Sequence, residues 1–164
     1  MAGMSASDPM RAQLAKLLDW RESHADFDAV VADVPVKDRG VRPNGLPYSL
    51  WELLEHIRLA QRDILDFCTR DDYVEGAWPD DYWPLPPETA PPSPAAWDAS
   101  IAAFRADRAA LQKLAADASV DLTAKVPNGD GQTYLRELLL IADHTAYHLG
   151  QMIVLRRLLG NWQA

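Results

Sequence analysis

The sequence predicts an all-α protein, a four-helix bundle with a long crossover connection between the second and third helices. Two observations support this prediction. Apolar residues recur at steps of three and four in four segments, and breaks rich in proline and glycine separate those segments. The strict alternation of apolar and polar residues that is typical of strands does not stand out. A length of 164 residues suits one domain, so residues 1–164 are expected to form a single helical domain.

The first predicted helix runs from about Asp8 to Val34. Asp8 is suited to cap it, and Pro9 is suited to the first helical position. The residue before Pro35 is biased away from the helical region, which ends the helix there. Its apolar stripe is Leu17, Trp20, His24, Phe27 and Val31.

The second predicted helix begins after a loop over residues 36–47 that contains two glycines and two prolines. Ser49 precedes Glu52 by three residues, which is the pattern of a capping box. The inward stripe of this helix is Leu53, His56, Ala60, Ile64 and Phe67.

A long connection follows over residues 70–92. A loop of this length in a compact domain is usually functional or disordered, and its content of tyrosine and tryptophan argues against disorder. Two interpretations remain open: the aromatic residues line a substrate pocket, or they cover the open end of the bundle. The aromatic residues are Tyr73, Trp78, Tyr82 and Trp83.

The third and fourth helices are predicted from Ser93-Pro94 to about Ala118 and from about Thr133 to Leu159. A segment of turn residues, 126–131, separates them. The apolar side of the third helix is Trp97, Ile101, Phe104, Leu111 and Leu114. The inward stripe of the fourth is Ile141, His144, His148, Gln151 and Leu155.

Three histidines fall on these inward stripes. His144 and His148 are four residues apart, so both project from one helix face, and His56 lies on a neighbouring helix. A buried polar group without a partner costs about 1–3 kcal/mol, and a single metal ion would satisfy all three rings. The alternative is that each ring is hydrogen-bonded separately. Thr145 follows His144, so the glutamate of the His-Glu-x-x-His protease motif is missing.

Three further residues have open roles. His24 is a candidate for a fourth ligand, a support for a ligand or an acid–base group, and equally for a partly exposed histidine without a role. Glu52 is either the cap partner of Ser49 or an orienting partner of His56. Cys68 is expected to be a small buried residue rather than a nucleophile.

Composition excludes several classes of function. The formal net charge is −8, and no cluster of lysine and arginine is present, which argues against binding nucleic acid. A single cysteine rules out an internal disulfide and is compatible with a reducing cytosol. The first ten residues lack the regions of a signal peptide, and no uninterrupted apolar stretch approaches the ~20 residues that span a bilayer. We therefore expect a soluble cytoplasmic protein.

The segment HTAYHLGQMIVLRRLLG, which begins at His144, resembles the C-terminal helix of the DinB superfamily. The segment LWELLEHI, which ends at Ile57, resembles the second-helix histidine segment of that family, and WPDDYWP fits one of its subgroups. The resemblance implies a four-helix bundle with a long crossover and metal ligands at His56, His144 and His148. It also implies a homodimer.

The resemblance further implies a divalent metal ion, nickel or zinc first, with manganese and iron as alternatives. Characterised relatives include transferases and isomerases that use a low-molecular-weight thiol. The first hypothesis is thus a metal-dependent enzyme acting on a small molecule, either a thiol-dependent S-transferase or a hydrolase. The second is a non-catalytic protein that binds a metal or a small ligand. The third is a helical dimerisation module whose histidines are core residues only.

Overall fold

The computed structural model describes residues 8–85 and 88–162, and this part of the chain is all-helical. The predictions that fall on residues 1–7, 86–87 and 163–164 lie outside the described residues. An isolated antiparallel bridge pairs Lys125 with Thr133. The α-helices are α1 (Pro9–Leu17), α2 (Phe27–Val31), α3 (Leu50–Thr69), α4 (Pro94–Ala116) and α5 (Tyr134–Leu158). Short 3-10 helices cover Val36–Asp38, Pro43–Gly45 and Asp80–Tyr82.

The prediction of one long first helix was wrong. Asp8 caps α1 as expected, but α1 ends at Leu17, and the chain is not helical again until Phe27. The buried side chain of Asp26 accepts a hydrogen bond from Ala29 N and so begins a separate helix, α2. A side-chain acceptor of this kind competes with a continuous helical backbone, although the apolar spacing continues across the break.

The boundaries of the other helices agree with the sequence to within about two residues. The capping box of α3 is confirmed: Ser49 Oγ accepts from Glu52 N, and Glu52 accepts from Ser49 N. Ser93 and Thr133 cap α4 and α5 with their side chains, and Pro94 occupies the first turn of α4. These caps fix the N-terminal ends of the three long helices.

The direction of each helix follows from its cross-contacts. Gln61 Nε2 donates to Phe104 O and Arg62 pairs with Asp107, so residue numbers rise together and α3 runs parallel to α4. The rings of His56 and His144 meet at one level, while Phe67 O, near the end of α3, accepts from Asn128, just before α5. Helix α5 is therefore antiparallel to α3.

The parallel α3–α4 pair differs from the antiparallel neighbours that four consecutive helices suggest. Helix α3 has 20 residues and is about 30 Å long at 1.5 Å per residue. The connection over residues 70–93 is long enough to return along that whole length, since an extended chain covers about 3.3 Å per residue. The length of this segment therefore permits two successive helices to point the same way.

The core consists of two clusters at opposite ends of the helices. One joins α2 to the first half of α3 and α4 and the second half of α5, and Phe27 stacks on Phe104 within it. The other joins α1 to the far ends of the same helices, around Leu111 and Leu138. Ile57 and Leu149, which follow His56 and His148 in the sequence, belong to the first cluster, so buried apolar residues hold the helices that carry these histidines.

Among the described residues, α5 is the one helix long and apolar enough to cross a membrane by length and composition alone. Core helices of soluble proteins pass the same test, and α5 packs against α3 and contributes Ile141, Met152 and Leu155 to the core. The apolar character of α5 is thus compatible with a soluble protein.

Candidate metal centre

Helices α3 and α5 bring His56, His144 and His148 together. One ring nitrogen from each lies within 4.8 Å of the others, and the centroids of the three rings are 4.5–4.9 Å apart. His56 and His148 are buried, and His144 is half-buried. The pair on α5 is one turn apart on a single face, and His56 meets it from the antiparallel helix. The structure thus places the three predicted residues in one cluster.

Two of the rings are oriented by acceptors on their outer side. His56 Nδ1 lies 2.8 Å from Tyr82 O, and His148 Nδ1 lies 2.7 Å from Gln151 Oε1. A carbonyl oxygen can only accept, so Nδ1 carries the proton in both rings and Nε2 presents a lone pair. Metal-binding histidines usually have their other nitrogen bonded in this way.

The third ring has fewer partners. His144 Nε2 lies 3.1 Å from His56 Nε2, and His144 Nδ1 is buried without a hydrogen-bond partner in the described structure. Such an unpartnered buried atom is costly in a folded protein. The direct approach of two ring nitrogens shows that His144 and His56 point at the same small volume.

All three rings favour the neutral form. Burial, together with the opposing charges of the neighbouring His148 and His56, lowers the pKa of His144 to about 4. Burial also lowers the pKa values of His56 and His148, partly offset by their bonds to Tyr82 and Gln151. Neutral imidazole is the form that binds a metal ion, so these rings need not lose protons at pH 7.

The aromatic segment after α3 covers one side of the cluster. Trp83 stacks on His56 with centroids 3.9 Å apart and an interplanar angle of 6°, and Tyr48 in turn stacks on Trp83 at 5.0 Å. The ring centroid of Trp78 lies 6.2 Å from that of His56, and the Trp78 residue is 69% exposed. Of the two interpretations of this segment, the structure favours the one in which its aromatic residues line a pocket beside the histidines.

That pocket is a cleft of about 530 Å³ that reaches His144. The volume lies within the range of roughly 300–1,000 Å³ that small-molecule sites occupy. Helix α3 contributes Ala60, Asp63, Ile64 and Phe67, so part of its predicted inward stripe faces this cleft. The remaining lining residues are Tyr73, Glu75, Trp78, Tyr82, Asn128, Gly129, Asp130, Gln132, Arg136, Glu137 and Leu140.

His24 does not join the cluster. It is exposed in the non-helical segment before α2, and its Nδ1 lies 2.9 Å from Ala25 O. Its predicted place on the inward stripe of a first helix was wrong, because that helix ends at Leu17. Among the roles considered for it, that of an exposed histidine away from the site fits the structure.

Glu52 and Cys68, the other two residues with several possible roles, have structural roles in this fold. Glu52 accepts from Ser49 N and pairs with Arg42, so it serves the cap, while the Tyr82 carbonyl is the hydrogen-bond partner of His56. Cys68 is buried, and burial raises the pKa of its thiol to about 12, with a smaller effect from the charge of Glu137. A thiol of that pKa is a poor nucleophile at pH 7.

A second group of potential ligands is an ion-pair network. Asp19, Asp26 and Asp28 lie close together near the start of α2. Arg108 pairs with Asp19 and with Asp28 at 2.8 and 3.0 Å, and Arg21 pairs with Asp26. The arginines already offset these carboxylates, so this group joins α2 to α4 rather than offering an open site.

Sequence reasoning missed three features of the site. Gln151 was assigned to the inward stripe, but its bond to His148 was not inferred, although the spacing of three residues on a helix allows it. Asp63 was not singled out, although it lies seven residues after His56 and so on the same face. The Tyr82 carbonyl had no sequence signal, because any residue type provides one.

One comparison with known proteins gives a match. The DinB superfamily profile matches residues 19–152, which is most of the chain and includes all three clustered histidines. The chain therefore belongs to the DinB superfamily. Searches of curated proteins and of solved structures returned no significant match.

Proposed function

We propose that this protein binds one divalent metal ion through His56, His144 and His148 and is a metal-dependent enzyme. The observation that carries the proposal is the orientation of the rings. His56 and His148 each have Nδ1 hydrogen-bonded outward, and each therefore presents an Nε2 lone pair toward the shared volume. Three neutral nitrogen donors fit nickel or zinc, and manganese and iron are alternatives.

The donor set leaves room for a further ligand. Three protein ligands with an open position are typical of catalytic metal sites, whereas structural sites are closed by four. The cleft beside His144 gives a small molecule a route to that position. A bound divalent ion would supply a Lewis acid that lowers the pKa of a water molecule or a thiol.

The residues of the chain have separate parts in this proposal. The imidazoles hold the ion without neutralising its charge, which favours an anionic partner such as a thiolate or hydroxide. Trp83 fixes one face of His56, and the aromatic wall of the cleft excludes water from one side. We propose an S-transfer from a low-molecular-weight thiol to a small electrophile, with hydrolysis as the alternative reaction.

The test compares the metal-loaded protein with a variant that lacks one ligand. Wild type loaded with zinc or nickel is incubated with a thiol and a panel of electrophiles, and loss of free thiol is measured. We expect turnover that stops in His144→Ala and continues in His24→Ala, which alters the exposed histidine outside the cluster. Metal binding without turnover of any thiol or ester substrate would favour the non-catalytic binding protein instead.

We also propose that α1, α3, α4 and α5 are the four helices of one bundle, with residues 70–93 as its crossover connection. The parallel α3–α4 pair supports this arrangement, because the connection then has to return from one end of the helices to the other. Contacts of α5 with α1, α3 and α4 support a single domain over residues 1–164.

We further propose that the protein is a cytoplasmic homodimer that pairs through α5. Three exposed apolar residues of α5 lie seven apart on one face, Leu140, Tyr147 and Val154, and Leu158 extends the same stripe. An apolar groove of about 470 Å³ between this face and Tyr48 lies beside them. Exposed apolar residues that recur along one side of a helix are typical of an association surface. The acidic surface supports a partner other than nucleic acid.

A further inference from the structure

The cleft beside His144 has a distinctive arrangement of charge. Asp63 lies seven residues after His56 on α3, and Glu137 lies seven residues before His144 on the antiparallel α5. Asp63 and Glu137 therefore lie on facing helices, each about 10 Å, or two helical turns, along its helix axis from the histidine of the same helix. Both line the cleft, and Glu75 approaches Asp63 from the aromatic segment.

The lining of the cleft holds more carboxylates than cations. Arg136 is the one lysine or arginine among the described lining residues, and it pairs with Glu137 at 2.6 Å. Within residues 8–85 and 88–162, no lysine or arginine forms an ion pair with Asp63 or Glu75. Among the described lining residues, the carboxylates of Asp63, Glu75 and Asp130 therefore have no lysine or arginine partner.

Asp63 is held at a desolvation cost. Its side chain is half-buried and accepts a hydrogen bond of 2.9 Å from Tyr73. Burial raises its pKa, the hydrogen bonds of Tyr73 and Tyr82 oppose that rise, and the charge of Glu75 adds to it. A cation bound beside Asp63 would favour the ionised carboxylate and offset this cost.

The aromatic residues of the cleft also suit a cationic ligand. Tyr73, Trp78 and Tyr82 line the cleft, and the Trp78 ring, 69% exposed, lies 5.3 Å from that of Tyr82. Aromatic faces attract cations, and tryptophan does so most strongly. An exposed tryptophan in a cleft that also holds unpaired carboxylates is a suitable contact for a bound cation.

We propose that this cleft binds the cationic group, an ammonium or a guanidinium, of a substrate whose reacting end reaches the three histidines. Asp63 and Glu75 provide the opposite charge, and Trp78 and Tyr73 provide aromatic contacts. The span of about 10 Å between Asp63 and His56 sets the distance between the two ends of the substrate. A molecule with a carboxylate about 10 Å from its reacting end is expected to bind weakly, because the acidic residues repel it. This inference rests on the proposed function, because the reacting end is assigned to the metal site.

The test measures the binding of three probes of similar shape by calorimetry: benzylammonium, neutral benzyl alcohol and anionic benzoate. Wild type is compared with Asp63→Asn, Glu75→Gln and the control Asp71→Asn, which alters an exposed acidic residue of the same segment outside the cleft. We expect benzylammonium to bind at least about fivefold more tightly than benzyl alcohol, with benzoate the weakest. Each cleft variant should remove most of that preference, and Asp71→Asn should retain it.

The probes are measured on metal-free protein, and metal binding is measured separately. Equal binding of benzylammonium and benzyl alcohol, or an unchanged preference in both cleft variants, would overturn the cation proposal even if metal binds. Glu75 is exposed, so Glu75→Gln remains informative if Asp63→Asn does not fold. Failure to bind metal, together with a preserved preference for the cation, would instead overturn the proposed function and leave the cleft assignment standing.

Discussion

At the scale of single residues, the acceptors behind the histidines decide what the cluster can do. The Tyr82 carbonyl and the Gln151 side chain each accept a hydrogen bond from Nδ1. Each bond fixes one tautomer and turns the other nitrogen inward, so the rings are arranged as donors before any ion arrives. The Nε2 atoms of His144 and His56 lie 3.1 Å apart, so these two rings face the same volume.

Gln151→Leu tests this arrangement. The variant keeps all three proposed ligands but removes the acceptor of His148 Nδ1, so the ring loses its fixed tautomer and orientation. We expect affinity for zinc to fall about tenfold in a competition titration with a chromophoric chelator. The control is Gln13→Leu, an exposed residue of α1, which should bind as wild type does. Unchanged affinity in Gln151→Leu would show that the bond has no part in metal binding.

At the scale of elements, most boundaries follow from local sequence, and two features do not. The capping box of α3 and the caps of α4 and α5 use residues within one turn, which a sequence displays directly. The break before Phe27 was missed because the apolar spacing continues through it and only the buried Asp26 cap reveals it. The parallel α3–α4 pair depends on contacts more than 40 residues apart, which local patterns do not encode.

Ser49 and Ser93 allow the two N-caps to be compared. Both side chains cap a helix, but Ser49 is fully buried and also donates to Thr89 O, which joins α3 to the segment before α4. We expect Ser93→Ala to lower the free energy of unfolding by about 1 kcal/mol and Ser49→Ala by about 2 kcal/mol. Urea denaturation measures both. Equal losses would mean that the bond to Thr89 contributes nothing.

The same cap predicts a pH dependence. Burial alone would raise the pKa of Glu52, but the hydrogen bonds from Arg42 and Ser49 outweigh it, so the pKa lies below the ordinary value of 4.5. The ionised carboxylate therefore stabilises the fold above about pH 4.5, and that stability is lost as the pH falls through the folded value. We expect Glu52→Gln to be less stable than wild type at pH 7 and to approach it near pH 3. If the urea midpoints of Glu52→Gln and wild type differ by the same amount at every pH in this range, the ionised Glu52 carboxylate is not what stabilises the cap.

At the scale of the whole molecule, the histidines could be predicted and the cleft could not. His144 and His148 share a face by local spacing, and the inward stripes of two helices placed His56 near them. The cleft forms where α3, α5 and the aromatic segment meet, and its carboxylates come from separate parts of the chain. The exposed stripe on α5 becomes visible only when the burial of every other face is known.

A charged substitution among the exposed apolar residues of α5 tests the proposed dimer. Val154→Glu places a carboxylate in the middle of the stripe, and burying it without a partner is costly, so we expect the variant to sediment as a monomer at micromolar concentrations where wild type is a dimer. Val36→Glu is the control, since Val36 is an exposed valine outside α5. A monomeric wild type, or a dimer that persists in Val154→Glu, would contradict pairing through α5.

The metal content of untagged protein, measured by mass spectrometry, tests the central claim most directly. The same measurement is made on His56→Ala, His144→Ala, His148→Ala and the control His24→Ala, with circular dichroism to show that each variant is folded. We predict about one divalent ion per chain in wild type and in His24→Ala, and loss of the ion in the three cluster variants. Absence of metal from wild type, with no binding when zinc, nickel, manganese or iron is added, would contradict the account.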